Sequence, residues 1–195
     1  MPPIGSDSDA GPRDFPPLPA LSLVIGGARS GKSRLAERLA ALCPGPRTYL
    51  ATAEPSDAEM GARIARHKAD RAGGGWRTVE APHDLAGAVA AASGVVLVDC
   101  LTLWLANRML AGADAGAEAE TLVAALEAHP GPVICVSNEV GWSIVPDNAL
   151  ARAFRDEQGR LNQRVAGISG LVVTAMAGLP LVLKGRLPEG FDHGA

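Results

Sequence analysis

The sequence predicts an α/β domain: a mostly parallel sheet with helices on both faces and an antiparallel hairpin at its C-terminal edge. Three observations predict it. Short β-type runs alternate with helix-type runs along most of the chain, the pattern of strands joined by crossover helices. A glycine-rich stretch, GGARSGKS at 26–33, lies between the first strand-like run and the first helix-like one. The last two apolar runs, LVVTAM and PLVLKG, lie around Ala177-Gly178-Leu179, a spacing that suits a hairpin.

Taken in order, the chain opens with MPPIGSDSDAGPRDFPPLPA, rich in proline and acidic residues. It lacks a basic segment followed by an apolar one, so it does not read as a secretory signal. Residues 1–19 read as a flexible tail ahead of the domain, a docking arm on a neighbouring subunit being the lesser alternative. Leu21, Leu23, Val24 and Ile25 make a strand of 21–26, and KSRLAERLA begins a helix over 32–43. RTYLAT forms a strand at 47–52. Ser56 with Glu59 three positions later is a capping box that starts a helix over 56–71. A strand at 77–80 and a helix at 83–92 follow, then the apolar strand VVLVD at 95–99. Helices at 100–111 and 115–129 come next, the second alanine-rich and without chemistry of its own. A strand at 132–137, a helix at 146–167 and strands at 170–175 and 180–184 complete one domain over 20–187, with 188–195 as a C-terminal tail. No internal repeat is present.

Composition narrows the class. The 195 residues suffice for one medium α/β domain. A net charge of −3 gives no global field that favours nucleic acid. Hydrophobic residues make up 47%, much of it alanine, and no uninterrupted apolar run approaches the roughly 18–20 residues of a membrane span. The 3 cysteines, Cys43, Cys100 and Cys135, have no CxxC spacing and suit reduced core thiols in a cytosolic protein. Cys100 follows Asp99 at a strand end; the sequence admits a nucleophile there and favours a small buried hydrophobe.

The chemistry concentrates at 26–33. Gly26-x-x-x-x-Gly31-Lys32-Ser33 between a strand and a helix fits the phosphate-binding P-loop. Small glycines let successive backbone N–H groups turn inward around phosphate oxygens. Lys32 reaches the β/γ-phosphates and the Ser33 hydroxyl holds Mg²⁺, while the helix points its positive dipole end at the same anion. Ligands in open α/β sheets gather at the carboxyl ends of the strands. That rule groups 26–33, 51–54, 80–83, 99–102 and 137–142.

A second constellation lies on the 56–71 helix. Arg63, His67 and Arg71 recur at i, i+4 spacing along one stripe, with Met60 and Ile64 beside it. Two guanidinium groups disfavour a protonated imidazole between them, and a neutral imidazole is a nucleophile. The arginines are suited to phosphate oxygens. Spacing alone favours the alternative, a solvated basic face. His83, His129 and His193 show no metal-ligand spacing.

Together GGARSGKS, ATAEPSDAEMGARIARHKADR, WRTVE, VLVDCLTLWLAN and VSNEVGWSIVPDNALARAFRDEQGRLNQRVA resemble the bifunctional adenosylcobinamide kinase / adenosylcobinamide-phosphate guanylyltransferase family over roughly residues 20 to 185. The resemblance implies a single-domain, P-loop NTPase-like (RecA-like) fold and two reactions of cobalamin biosynthesis. The γ-phosphoryl of ATP or GTP goes to the aminopropanol hydroxyl of adenosylcobinamide. GTP then gives its GMP unit to adenosylcobinamide phosphate through a guanylylated histidine, yielding adenosylcobinamide-GDP and pyrophosphate.

The position matching that histidine is His67, which with Lys32 forms the implied catalytic pair. The implied nucleotide-binding positions are Gly26, Gly27, Ala28, Arg29, Ser30, Gly31, Lys32 and Ser33; Ala51, Thr52 and Ala53; Lys68, Ala69, Asp70 and Arg71; Glu80; and Asp99. Ser33 and Asp99 are the implied metal positions for Mg²⁺. Glu80, acceptor-only, suits the N1–H and N2–H₂ edge of guanine, which adenine lacks. Some relatives carry Glu where this chain has Asp99, whose shorter reach suits metal binding through water, or a ribose contact. The RAGGGW stretch is about one residue longer than in relatives, which loosens the placement of Glu80. Ser137-Asn138-Glu139-Val140-Gly141-Trp142 is either the corrinoid side of the site or a structural turn. Arg152, Arg155, Arg160, Asn162 and Arg164 are substrate or subunit contacts. The resemblance further implies a cytoplasmic homotrimer.

Two other functions compete: a P-loop small-molecule kinase without guanylyl transfer, and a nucleotide-dependent switch. The first leaves His67 in its arginine stripe unexplained. The second lacks an NKxD guanine motif and has no recognisable DxxG switch.

Overall fold

The structure is a computed structural model that describes residues 18–54, 61, 65, 73–188 and 191. The described elements run β1 (Leu21–Gly26), α1 (Lys32–Ala41), β2 (Arg47–Ala51), β3 (Trp76–Glu80), α2 (Leu85–Ala91), β4 (Val95–Asp99), α3 (Leu101–Leu110), α4 (Ala115–Ala128), β5 (Val133–Asn138), α5 (Ala149–Ile168), β6 (Leu171–Met176) and β7 (Leu179–Lys184). The expected helix over 56–71 lies outside the described residues, apart from Gly61 and Ala65, which are helical.

The strands form one 7-stranded sheet in the order β3-β2-β4-β5-β1-β6-β7. All neighbours pair in parallel except β6 and β7. The expected α/β architecture with its antiparallel edge is therefore present. β6 turns into β7 through Ala177 and Gly178, whose φ angles of 52° and 81° put both central residues in the left-handed region. A two-residue hairpin turn whose twist matches its strands requires that conformation.

Parallel strands covered on both faces must be apolar throughout, and β4 shows it. Val95, Val96, Leu97 and Val98 are at most 1% exposed and alternate between two cores. Val96 and Val98 pack with Leu85, Leu101, Trp104, Leu122 and Leu161, from α2 to α5. Val95 and Leu97 pack with Leu35, Leu39 and Ala40 of α1 on the opposite face. Each fully buried Leu or Val is worth about 1.5–3 kcal/mol.

Helix starts follow local capping. Asp84 accepts from Gly87 N (2.9 Å), so α2 begins at Leu85 rather than at the expected 83. Asn148 accepts from Ala151 N (2.9 Å), so α5 begins at Ala149, three positions after the expected 146. In both cases the cap residue holds the first orphan amides and marks the boundary.

Candidate active site

β1 ends at Gly26 between two neighbours, paired with Asn138 of β5 and Ala175 of β6. A Cβ at Gly26 would stand 2.6 Å from Ala175 O and 2.6 Å from Ser30 Oγ, so glycine is what lets the loop lie this close. Gly31, at φ 91°, is the left-handed N-cap of α1 and accepts Leu35 N at 3.0 Å. Arg29 is also left-handed, at φ 56°. Turns of this kind present successive amides to an anion. The loop is held from behind, because Gly178 N in the β6–β7 turn donates to Ser30 O at 3.0 Å.

Lys32 opens α1 and is 9% exposed. Its Nζ lies over the loop and donates to Gly27 O at 3.0 Å. The Ser30 hydroxyl is buried, with no hydrogen-bond partner among the described residues. An unsatisfied donor in a phosphate loop fits a ligand that supplies the acceptor.

Asp99 sits at the end of β4, paired with Ala51 on one side and Val136 on the other. Its Oδ2 accepts the hydroxyl of Tyr49, a 2%-exposed residue of β2. Trp76 packs edge-on against the Tyr49 ring, with centroids 6.0 Å apart, and so helps fix the phenol. The phenol in turn fixes the carboxylate.

These groups share one cavity of about 850 Å³. Its walls include Gly26 to Ser30, Lys32, Ser33, Ala51, Ala53 and Asp99, all expected from sequence. Asn138, Glu139, Val140, Trp142 and Ser143 supply another wall. Tyr49, Leu103 and the stretch Thr174–Ala177 also line it, and sequence reasoning had not singled them out. Tyr49 was within reach: in RTYLAT it shares a strand face with Ala51. The 174–177 wall depends on β6 pairing beside β1, which no local pattern reveals.

Other expected residues lie differently. Thr52 is fully buried and does not line the cavity. Its Oγ1 donates to Cys100 O and accepts from Cys100 N, both at 2.8 Å, and its carbonyl accepts from Asn107 Nδ2 at 2.9 Å. It ties the end of β2 to the end of β4. Glu80 is exposed at the end of edge strand β3, outside the cavity wall but paired with the wall residue Ala51. Gly31 is the N-cap of α1 rather than a wall. His67, Lys68, Ala69, Asp70 and Arg71 lie outside the described residues.

Cys100 touches the cavity, yet it is 5% exposed. Burial, with the Asp99 charge second, pushes its thiol up to about 11. A thiol held protonated is a poor nucleophile, which fits the small-hydrophobe role. Burial pushes Cys135 up to about 12.

The donor set suits a hard cation. Ser33 and Asp99 offer a hydroxyl and a carboxylate on one cavity, and Mg²⁺ takes few protein oxygens while keeping waters and phosphate oxygens. No cluster of three or more His, Cys, Asp or Glu that could form a protein-only metal cage exists among the described residues.

Comparison with known proteins adds a family. The model described as cobinamide kinase / cobinamide phosphate guanyltransferase matches residues 22–183. The chain is 48% identical over 169 residues to the bifunctional adenosylcobalamin biosynthesis protein CobP of Pseudomonas aeruginosa, covering 84% of this chain and 97% of that protein. It is 38% identical over 180 residues to the corresponding protein CobU of Salmonella typhimurium, covering 83% and 98%. Among solved structures, the RadB recombinase aligns with a TM-score of 0.52 at 17% identity, over 87% of this chain and 83% of that one. That last likeness concerns the fold alone.

Proposed function

The chain belongs to the cobinamide kinase / cobinamide phosphate guanyltransferase family, and from that premise we propose how one cavity serves both activities. The protein is a bifunctional enzyme of cobalamin biosynthesis, a kinase and a guanylyltransferase. The observation that carries the proposal is the single cavity bringing the 26–33 loop, Lys32, Ser33 and Asp99 together.

In the kinase reaction, the loop amides and Lys32 hold the β- and γ-phosphates of ATP or GTP while the aminopropanol hydroxyl of adenosylcobinamide attacks. Phosphoryl transfer asks a protein mainly for positioning and charge stabilisation. In the transferase reaction, His67 attacks the α-phosphorus of GTP, and pyrophosphate departs into the same loop. The GMP unit then passes from His67 to adenosylcobinamide phosphate. Ser33 and Asp99 are the residues that would hold Mg²⁺, whose chemistry is to offset phosphate charge. Ala51, Ala53 and the 68–71 segment complete the nucleotide site. Glu80 reads the guanine edge of a base that extends past Ala51 towards the β3 edge. Residues 20–187 carry both activities.

The assembly is proposed to be a homotrimer. Edge strand β7 supports it by turning Leu179, Leu181 and Leu183 outward at 58%, 58% and 57% exposure. An alternating apolar face on an edge strand is a surface for another chain. The cytoplasm is the proposed compartment, supported by three buried free thiols. No helix among the described residues is long and apolar enough to cross a membrane.

GTP labelled at the α-phosphate tests the covalent step. The wild-type protein should acquire acid-labile, base-stable label, and His67→Ala should acquire none. Label that survives the substitution would place the nucleophile elsewhere.

A further inference from the structure

Among the described residues, two carboxylates line the cavity, Asp99 and Glu139, and the mechanism above uses one of them. We propose that Glu139 is the catalytic base of the kinase reaction, taking the proton from the acceptor hydroxyl. The proposal rests on the family activity and adds a residue to it.

Sheet order places Glu139. β5 lies between β4, which carries Asp99, and β1, which runs into the phosphate loop. A residue leaving the carboxyl end of β5 therefore emerges between the metal carboxylate and the phosphate cradle. The backbone is fastened there directly, since Glu139 N donates to Gly26 O at 3.2 Å.

The segment is also braced from beneath by a buried polar network. Ser137 Oγ donates to Asn162 Oδ1 (2.6 Å) and accepts from Gln158 Nε2 (2.8 Å). Asn138 N donates to Thr102 Oγ1 (2.7 Å), and Asn138 O accepts from Asn162 Nδ2 (3.1 Å). Gln158 Oε1 is left without a partner among the described residues, while the other bonds of the network are made and hold one geometry. Here they fix the stem on which Glu139 stands.

The carboxylate itself is oriented by one bond. Oε1 accepts from Gly141 N at 2.8 Å, and a Cβ at Gly141 would meet that oxygen at 2.9 Å. Oε2 makes no hydrogen bond with the described residues. One oxygen is held by that bond, which leaves the other for the acceptor proton in this proposal. Asp99 is likewise engaged through one oxygen, Oδ2, by Tyr49, and is the carboxylate already assigned to the metal. Beyond Glu139 the wall carries Val140 and Trp142, the latter 79% exposed; Ile144 and Val145, next along the chain, are 94% and 63% exposed. Large exposed apolar side chains beside a site suit a bulky organic acceptor rather than a phosphate.

The step balances. The acceptor O–H bond breaks and its proton goes to Glu139. The acceptor oxygen bonds to the γ-phosphorus, and the bond from that phosphorus to the bridging oxygen breaks. The nucleoside diphosphate leaves on the loop.

The experiment uses Glu139→Gln in the full chain, with adenosylcobinamide and γ-labelled donor for one reaction and α-labelled GTP for self-guanylylation. General-base catalysis is worth about 10²–10⁴-fold, so kcat for phosphoryl transfer should fall in that range. KM for the nucleotide and the rate of self-guanylylation should stay close to wild type. Retained phosphoryl transfer would overturn the proposal. So would a parallel loss of nucleotide binding and guanylylation, which would reduce Glu139 to a brace of the loop. If Glu139→Gln does not fold, Glu139→Asp keeps the charge and withdraws it by one methylene; it should lower kcat without moving nucleotide KM, and an unchanged kcat overturns the assignment. A wild-type protein that fails to phosphorylate adenosylcobinamide would instead sink the substrate assignment on which this one rests.

Discussion

At the residue scale, the site depends on how single side chains are aimed. Asp99 is a metal candidate because its carboxylate reaches the cavity, and it keeps its orientation because Tyr49 donates to it. Tyr49→Phe removes that hydroxyl and keeps the ring against Trp76. A hydrogen bond to a charged group is worth about 1.5–3 kcal/mol. The variant should therefore stay folded yet need roughly tenfold or more Mg²⁺ for half-maximal phosphoryl transfer. A Mg²⁺ titration identical to wild type would show that the phenol does not position Asp99. Gly26 to Ser33 and Asp99 were legible in sequence because each is local: a loop between strand and helix, an acid at a strand end. Thr52 was legible as a position and not as a job. The family resemblance implied nucleotide contact there, while its hydroxyl is committed to the Cys100 backbone 48 positions away.

At the element scale, the strand ends must stay in register for the site to exist. Thr52 is the fastener between β2 and β4, and β4 carries Asp99. Thr52→Val keeps the shape and leaves the buried Cys100 N–H without its acceptor. The expected cost is about 1–3 kcal/mol of stability, read by denaturant unfolding, with nucleotide affinity retained in the folded fraction. Unchanged stability would contradict the fastening role. Element types were legible because apolar strands and amphipathic helices write their periods into the chain. Strand order was not, since β1 lies between β5 and β6 only through pairings more than 100 positions apart. That is why the 174–177 wall escaped notice while the 26–33 loop did not.

At the scale of the whole molecule, the proposal gives both reactions one cavity at the carboxyl ends of the strands. The proposed trimer would use the exposed β7 face, so Leu181→Lys should shift it towards smaller species in sedimentation. A sedimentation coefficient unaffected by that charge would move the interface elsewhere. The central claim is that a single phosphate loop holds the donor in the kinase step and receives pyrophosphate in the transferase step. Lys32→Ala tests it most directly, measured on one preparation with γ-labelled donor plus adenosylcobinamide and with α-labelled GTP alone. Removing one preorganised cationic donor costs about 10²–10³ in rate, so both the phosphoryl transfer and the protein labelling should fall by that order. Loss of one reaction with the other untouched would mean two separate phosphate sites and would contradict the account.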